Sequence, residues 1–142
     1  GTANRVMSMG VDKSWRRKAC DKAYKFYDKD KLDKIVDVAC GTGDMMDFWQ
    51  KRAEINGVSI GEIIGVDPSV GMVDVARKKY PHYNYHISKA TEIPLEDSSA
   101  DILSITYGIR NVMQRTQALN EFNRVLKKDA LVVILEFMKN VL

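Results

Sequence analysis

Cysteine is scarce in this sequence of 142 residues, which contains only Cys20 and Cys40. Neither has another cysteine or a histidine nearby at the spacing of metal ligands, and two isolated cysteines do not make a disulfide framework. The sequence therefore predicts no zinc site and no disulfide-stabilised fold. A reducing, cytoplasmic location fits this cysteine usage.

Long apolar runs are also missing. No run approaches the roughly 18 residues that a membrane-spanning helix needs, and the first four residues, GTAN, do not resemble a signal peptide. Proline is limited to three residues and 45% of the chain is apolar, which excludes a mainly disordered or fibrous protein. We expect one domain over residues 1–142, since about 100 to 200 residues make a typical domain.

A strong charge of one sign is absent, because the chain has 22 basic and 19 acidic residues and a net charge of +3. The basic excess lies within residues 1–34, where basic and acidic residues mix, as in Asp28-Lys29-Asp30-Lys31. Such mixed charges are typical of a solvated surface, so we expect no nucleic-acid partner. The basic segment favours instead a cytoplasmic protein in peripheral contact with the anionic inner membrane.

Strand-like and helix-like segments alternate along the chain. Apolar residues recur at helical spacing over residues 15–27, 44–55, 70–79 and 115–126. Short runs rich in β-branched and apolar residues predict strands over 35–39, 62–66, 83–87, 101–107 and 130–137. Because several of these strands are apolar on both faces, the sequence predicts a doubly wound α/β domain with a mainly parallel sheet and right-handed crossovers.

Two glycines follow the first predicted strand, at Gly41 and Gly43, with Thr42 between them. In a parallel sheet this turn lies where a ligand meets the carboxyl ends of the strands, and glycine allows both positive φ and a close approach of the backbone. The free amide groups at the start of the next helix point to the same place. A tight loop without a ligand is the alternative interpretation.

Asp67 ends the second predicted strand, 24 residues after Gly43. A carboxylate about 20 residues after such a turn accepts hydrogen bonds from the ribose hydroxyls of a bound nucleotide. The alternative is that Asp67 caps the helix that follows Pro68. Together, the glycine turn and this carboxylate favour a site for an adenosine cofactor.

The third glycine of a dinucleotide-binding motif is absent, because Met46 stands three residues after Gly43. Asp44 adds a negative charge beside the turn, which disfavours an anionic pyrophosphate and favours a cofactor with a positive centre. The sulfonium and ammonium groups of S-adenosylmethionine supply that charge. The sequence therefore favours S-adenosylmethionine, with a nicotinamide-dependent oxidoreductase as the alternative.

Residues 36–44, VDVACGTGD, resemble motif I of the class I S-adenosylmethionine-dependent methyltransferases. A more specific resemblance extends over nearly the whole chain. The segments 4–10, 107–112, 124–127 and 135–137 and the Trp15-Arg16 pair are similar to those of the ubiquinone/menaquinone-biosynthesis C-methyltransferases. This resemblance implies a Rossmann-like fold, S-adenosylmethionine as the cofactor without a metal, and methylation of a ring carbon in a polyprenylated benzoquinol or demethylmenaquinol precursor.

The resemblance also implies a set of cofactor contacts. They are Gly41, Thr42 and Gly43 in the turn, Asp67 at the ribose, Lys89 and Ala90 near the adenine, and Thr106 beside the bound molecule. Lys89 departs from the family, which usually has Asp or Asn at this position to accept a hydrogen bond from the adenine amino group. An ammonium group only donates, which leaves the backbone of Lys89 for this contact.

Arg110 and Asn111 are the candidate catalytic residues. A ring carbon becomes strongly nucleophilic when the neighbouring hydroxyl, whose pKa is near 10, is ionised, so the site needs a base or a cation that stabilises the phenolate. Arg110, beside Asn111, would supply the cation, because a guanidinium stays protonated and cannot be the base. A surface salt bridge is the alternative role for Arg110, and the base stays open between Asp12 and Tyr107.

The chain stops soon after the fifth predicted strand, whereas the family continues, so we expect a fragment of a longer protein. Strand 131–137 would then expose an apolar edge, which favours a homodimer or aggregation unless another segment covers it. Lys128-Asp129-Ala130 replaces the family's usual Pro-Gly-Gly turn before this strand. Two other functions stay open: another small-molecule methyltransferase with the same cofactor site, and a cofactor-binding module that is inactive as this fragment.

Overall fold

Strands and helices alternate along the chain in the computed structural model, which describes residues 4–10, 14–106 and 114–136. The strands are β1 (Arg5–Gly10), β2 (Lys31–Val38), β3 (Ser59–Asp67), β4 (Asn84–Ile87), β5 (Ala100–Thr106) and β6 (Leu126–Glu136). The helices are α1 (Trp15–Tyr27), α2 (Asp44–Asn56), α3 (Val70–Lys79) and α4 (Arg115–Val125).

The strands of the described residues form one six-stranded sheet in the order β1-β6-β5-β2-β3-β4, and every pair is parallel. From β2 the chain proceeds to β3 and β4 on one side, and then returns to β5 on the other side of β2. The order therefore reverses between β2 and β5, and ligands bind at such a point in open α/β sheets. The buried run from Ile35 to Val38 lies in the middle of the sheet. Burial of successive residues means that both faces are covered, which confirms the predicted doubly wound arrangement.

Strand β1 corrects the expectation of an exposed edge at residues 131–137. It pairs in parallel along β6, with Arg5 opposite Leu131 and Gly10 opposite Glu136. Through residue 136, the apolar strand is therefore covered, and its edge does not favour a homodimer. β1 was not predicted because its six residues show no clear periodicity; Val6 on this outer strand is 62% exposed.

The last predicted strand, 130–137, begins earlier in the structure, at Leu126, so Lys128, Asp129 and Ala130, which stand where the family has a Pro-Gly-Gly turn, lie inside β6. Asp129 has a left-handed φ of 62°. The pairing with β5 shifts register at this point, so that Ala100 lies opposite Leu126 and Ile102 opposite Leu131. The irregularity thus forms a bulge in a longer strand rather than a separate turn. Strands β2 and β3 also begin earlier than predicted, at Lys31 and Ser59.

Helix α1 packs on α2 and thereby brings its first residues to the carboxyl edge of the sheet. The rings of Tyr24 and Trp49 meet edge to face at 5.4 Å, and the Tyr24 hydroxyl donates to the Trp49 carbonyl at 2.6 Å. Helix α2 in turn lies close to β3 at Gly65, where an added Cβ would stand 2.7 Å from Met46 Sδ and 2.8 Å from Cys40 Sγ. This glycine therefore permits α2 to approach the sheet directly behind the glycine turn.

Candidate functional site

The turn between β2 and α2 is built from three residues with left-handed backbone. Ala39, Gly41 and Gly43 have φ values of 56°, 54° and 86°. A Cβ on Gly43 would meet Tyr80 Cδ2 at 3.1 Å, whereas no atom lies within 4 Å of a Cβ placed on Gly41. Gly43 is thus required by both conformation and packing. Gly41 leaves open space beside the backbone, where a ligand can approach.

Asp67, at the end of β3, ties that strand to the glycine turn. The carboxylate is only 8% exposed; Oδ2 accepts from the Gly41 amide at 2.9 Å and Oδ1 accepts from the Ser69 amide at 2.8 Å. The cap of α3 is supplied by Ser69, whose Oγ accepts from the Met72 amide. Asp67 therefore is not the helix cap. Each carboxylate oxygen keeps acceptor capacity for a hydroxyl group.

A cavity of about 200 Å³ lies at the carboxyl ends of β2 and β5, where the strand order reverses. Its lining consists of Trp15, Arg16, Asp37, Ala39, Cys40, Gly41, Thr42, Asp44, Met45 and Thr106. Two of its polar atoms, Arg16 Nε and Thr106 Oγ1, are buried and have no hydrogen-bond partner among the described residues. Buried polar groups normally find a partner, so these two atoms indicate a place for polar atoms of a ligand.

A larger depression of about 690 Å³ lies at the other end of β2, beside Lys31. Its charged residues alternate in sign from Asp28 to Lys31. None of the predicted site residues lines it, and the carboxyl ends of the strands are on the opposite edge. The smaller cavity is therefore the candidate site.

Asp37 is a buried carboxyl at the inner end of this cavity. Ser104 Oγ donates to its Oδ1 at 2.7 Å, and Trp49 Nε1 donates to Ser104 Oγ at 3.0 Å. Burial raises the pKa of Asp37 to about 7, although the Ser104 hydrogen bond and the Arg16 charge oppose the rise. Asp37, Ser104 and Trp49 are each at most 2% exposed. The cavity thus contains a carboxylate whose orientation is fixed from behind.

Asp44 supplies a second acidic group in the cavity wall. Its Oδ1 accepts from Lys79 Nζ at 2.7 Å and from the Tyr80 hydroxyl at 2.8 Å. Partial burial would raise its pKa, but these two hydrogen bonds and the charges of Lys79 and Arg16 hold the pKa of Asp44 below its usual value. The predicted negative charge beside the turn is therefore present.

The sequence-predicted cofactor residues all lie at one edge of the sheet, but only some share the cavity. Gly41, Thr42 and Thr106 line it, and Gly43 begins the helix beneath it. The segment after β4 lies beside Asp67, since the Ser88 amide donates to the Asp67 carbonyl at 3.1 Å. In that segment Lys89 is exposed and Ala90 is half-buried. The predicted residues Asp12, Tyr107, Arg110 and Asn111 lie outside the described residues.

Four residues at this cavity were not predicted from the sequence: Asp37, Ser104, Trp49 and Arg16. One signal was available, because an aspartate inside the apolar run of β2 must be buried and therefore needs a partner. Ser104 and Trp49 carried no such signal. Their hydrogen bonds join residues 67 and 55 positions apart in the sequence.

Cys20 and Cys40 are both free, buried thiols. In the part of the chain that the structure describes, no helix has the length and apolar character needed to cross a bilayer.

Comparison with known sequences matches the whole chain to one family. The sequence model of the ubiE/COQ5 methyltransferase family matches residues 1–142. The chain is 51% identical over 137 residues to the ubiquinone/menaquinone biosynthesis C-methyltransferase UbiE of Campylobacter jejuni, and covers 58% of that protein with 96% of itself. It is 38% identical over 135 residues to the demethylmenaquinone methyltransferase of Chlorobaculum parvum, with 95% of this chain and 54% of that protein covered. The chain thus spans little more than half the length of these relatives.

Solved structures share the architecture. A candidate S-adenosyl-L-methionine-dependent methyltransferase from Methanococcus maripaludis superimposes with a TM-score of 0.73 at 18% identity, over 87% of this chain and 56% of that chain. At this level of identity the likeness shows the fold alone. It agrees with the predicted Rossmann-like arrangement.

Proposed function

Because this chain belongs to the ubiE/COQ5 methyltransferase family, we propose that its protein transfers a methyl group from S-adenosylmethionine to a ring carbon of a polyprenylated quinol precursor. The precursor is demethylmenaquinol, a benzoquinol, or both. The 51% identity to a ubiquinone/menaquinone biosynthesis C-methyltransferase supports this substrate class. Because the chain covers only 58% of that relative, the activity is proposed for the whole protein rather than for residues 1–142 alone.

The cavity beside the glycine turn is the observation that carries the cofactor assignment. Its charged groups are two carboxyls, Asp37 and Asp44, and one guanidinium, Arg16. S-adenosylmethionine has one carboxylate, one ammonium and one sulfonium, so its charges complement this set. A nicotinamide dinucleotide would place its anionic pyrophosphate beside the two carboxyls. The two buried polar atoms without partners, Arg16 Nε and Thr106 Oγ1, also fit a polar ligand.

The order of the predicted contacts along the sheet supports the same cofactor. Thr106 ends β5, Gly41 and Thr42 follow β2, Asp67 ends β3, and Ala90 follows β4. These strands are neighbours in that order. These residues would hold the amino-acid end of the cofactor at β2 and β5, its ribose at Asp67 and its adenine at the segment after β4 that contains Lys89.

Methyl transfer requires alignment more than acid–base strength. S-adenosylmethionine supplies an electrophilic methyl group, and well-oriented reactants can gain roughly 7 to 11 kcal/mol from proximity. The ring carbon would take this methyl group with its own electron pair, the sulfur would keep the pair of the broken bond, and the ring proton would pass to a base, for which Asp12 and Tyr107 are the candidates. In this scheme Arg110 stabilises the phenolate that makes the carbon nucleophilic, and Asn111 helps to orient the ring hydroxyl.

Two measurements test the proposal. In calorimetric titrations, the chain should bind S-adenosylmethionine and S-adenosylhomocysteine and should not bind NADH. Binding of NADH alone would reject the methyltransferase assignment. A radiolabelled methyl-transfer assay with a demethylmenaquinol analogue should then give a methylated product with the whole protein.

A cofactor-binding module without turnover is the second candidate for residues 1–142. One observation favours it: these residues cover only 58% of the Campylobacter jejuni relative. The same assay separates the two functions, because a module binds S-adenosylhomocysteine but yields no methylated quinol. Adding the whole protein to the assay provides the positive control.

A further inference from the structure

Arg16 is held at the rim of the cavity by aromatic rings. It is the second residue of α1, and its guanidinium carbon lies 4.3 Å from the centre of the Trp15 ring and 6.0 Å from that of Phe48. Stacking on an aromatic face fixes the plane of a guanidinium and partly removes water from it. Arg16 is therefore ordered before any ligand arrives.

The Arg16 side chain nevertheless has a buried donor that is not used. Its Nε has no hydrogen-bond partner among the described residues. Neither nearby carboxyl group accepts from this Nε, although the Arg16 charge lowers the pKa of both. Asp37 Oδ1 accepts from Ser104, and Asp44 accepts from Lys79 and Tyr80 at Oδ1 and from Thr42 at Oδ2. A buried donor without an acceptor is unfavourable, so an acceptor atom supplied by a ligand would stabilise Arg16 Nε. The natural partner of a guanidinium is a carboxylate, which it binds with parallel hydrogen bonds.

Charge in the cavity is divided between two elements. The positive group comes from α1, outside the sheet, and the acidic groups come from the end of β2 and the start of α2. A zwitterion such as an α-amino acid fits this division, with its carboxylate toward the helix and its ammonium toward the carboxyls. The open space beside Gly41 allows such a group to reach the backbone.

We propose that Arg16 is a specificity-determining residue that binds the carboxylate of the methyl donor's amino-acid end. This inference rests on the proposed function. It makes Arg16 the group that distinguishes S-adenosylmethionine and S-adenosylhomocysteine from related adenosine sulfur compounds that lack a carboxylate. Arg17, its neighbour on α1, is exposed and does not line the cavity.

The test is a double-mutant-type cycle. The protein loses the Arg16 guanidinium, and the ligand loses its carboxylate. Binding of S-adenosylhomocysteine, 5′-methylthioadenosine and decarboxylated S-adenosylmethionine is measured by calorimetry for the wild type, Arg16→Met, Arg16→Lys and the control Arg17→Met. Methionine keeps an apolar contact with Trp15 but has no charge. In Arg16→Met the affinity for S-adenosylhomocysteine should fall about 10- to 100-fold, the range of a charge-assisted hydrogen bond. The affinities for the two ligands without a carboxylate should not change.

The other variants sharpen the result. Arg16→Lys should recover part of the lost affinity, because it restores the charge without the planar donor geometry. Arg17→Met should bind all three ligands as the wild type does. If Arg16→Met fails to fold, the wild type and Arg16→Lys still test the inference, because wild-type S-adenosylmethionine should bind at least tenfold more tightly than its decarboxylated form.

The binding results distinguish failure of this inference from failure of the proposed function. An equal loss of affinity for all three ligands in Arg16→Met would show a general role in the fold of the site and overturn the carboxylate assignment, while the proposed function stands. Equal wild-type affinities for S-adenosylmethionine and its decarboxylated form would also overturn it. Binding of NADH and none of the adenosine sulfur compounds would reject the proposed function itself and the inference with it.

Discussion

Asp37 in β2 lies directly opposite Ser104 in β5 and accepts a hydrogen bond from its hydroxyl at 2.7 Å. The two residues belong to the strands between which the sheet order reverses. This bond therefore joins the two halves of the sheet beneath the candidate cofactor cavity. Trp49 continues the connection into α2. Behind the cavity, β2, β5 and α2 are thus joined by polar contacts inside an otherwise apolar layer.

Stability should depend on pH through Asp37. Burial raises its pKa to about 7 from 3.8, so the folded chain retains a proton that the unfolded chain loses. This proton contributes roughly 4 kcal/mol to the free energy of unfolding. The contribution is present in full below about pH 4 and is lost as the pH rises through about 7. Asp37→Asn should remove this part of the pH dependence and make the chain more stable than the wild type at about pH 8.

Urea denaturation at several pH values, followed by circular dichroism, measures this effect. The exposed residue Asp74 provides the control, and Asp74→Asn should follow the wild-type curve. If Asp37→Asn is instead less stable than the wild type at high pH, the Ser104 hydrogen bond and the Arg16 charge offset the cost of burying an ionised Asp37, and the prediction is wrong.

Gly43→Ala should destabilise the chain more than Gly57→Ala. Both glycines have positive φ, at 86° and 69°, so both substitutions incur a backbone cost of about 1 kcal/mol. Only at Gly43 does the new Cβ meet Tyr80, at 3.1 Å, whereas Gly57 has open space. We expect a further loss of about 1 to 3 kcal/mol at Gly43 from overpacking. The free energy of unfolding of the two variants gives the comparison, and equal losses would mean that Tyr80 moves aside freely.

Asp67→Ala should weaken cofactor binding sharply. The substitution removes the proposed ribose contact and also leaves the Gly41 and Ser69 amides without their acceptor. The affinity for S-adenosylhomocysteine should fall at least 10-fold, and stability should fall by about 1 to 3 kcal/mol. Calorimetry below the melting transition measures the first effect and urea denaturation the second. An affinity equal to that of the exposed control Asp74→Ala would remove Asp67 from the site.

Arg110→Ala should affect turnover rather than binding. If Arg110 stabilises the phenolate, its loss should lower kcat of the whole protein by about 100-fold and leave the affinity for S-adenosylhomocysteine unchanged. The exposed Arg115, at the start of α4, provides the control as Arg115→Ala. A surface salt bridge, the alternative role, predicts instead that both variants keep full kcat.

Local pattern explains which parts of the fold were predictable. Helices α1 and α3 begin and end where the sequence places them, because their buried residues repeat at helical spacing within the segment itself. The glycine turn and Asp67 could be predicted for a similar reason, since strand ends in a parallel sheet share one edge. Strand β1 could not, because what makes it a strand is its pairing with β6 at the far end of the sequence.

The residues of the candidate site also fall into two groups, those that the local sequence predicts and those that it does not. Thr42 and Thr106 lie next to strand ends that the sequence identifies, and they do line one cavity. The Asp37–Ser104–Trp49 connection depends on strand register and helix packing between residues far apart in the chain, which no local pattern encodes. Arg16 shows a mixed case: the sequence places it on an amphipathic helix, and only the packing of α1 on α2 brings it to the cavity.

The pairing of β1 with β6 also sets an order of events during synthesis. Residues Arg5–Gly10 are made before the strand that receives them, Leu126–Glu136, because each residue of the first segment pairs with one 126 positions later (Arg5 with Leu131, 131 − 5 = 126). Contacts between such distant segments form late in folding because a long loop must close first. The β1 segment that precedes the helix carrying Arg16 therefore has no partner strand until β6 has been made, whereas the glycine turn needs only segments made earlier.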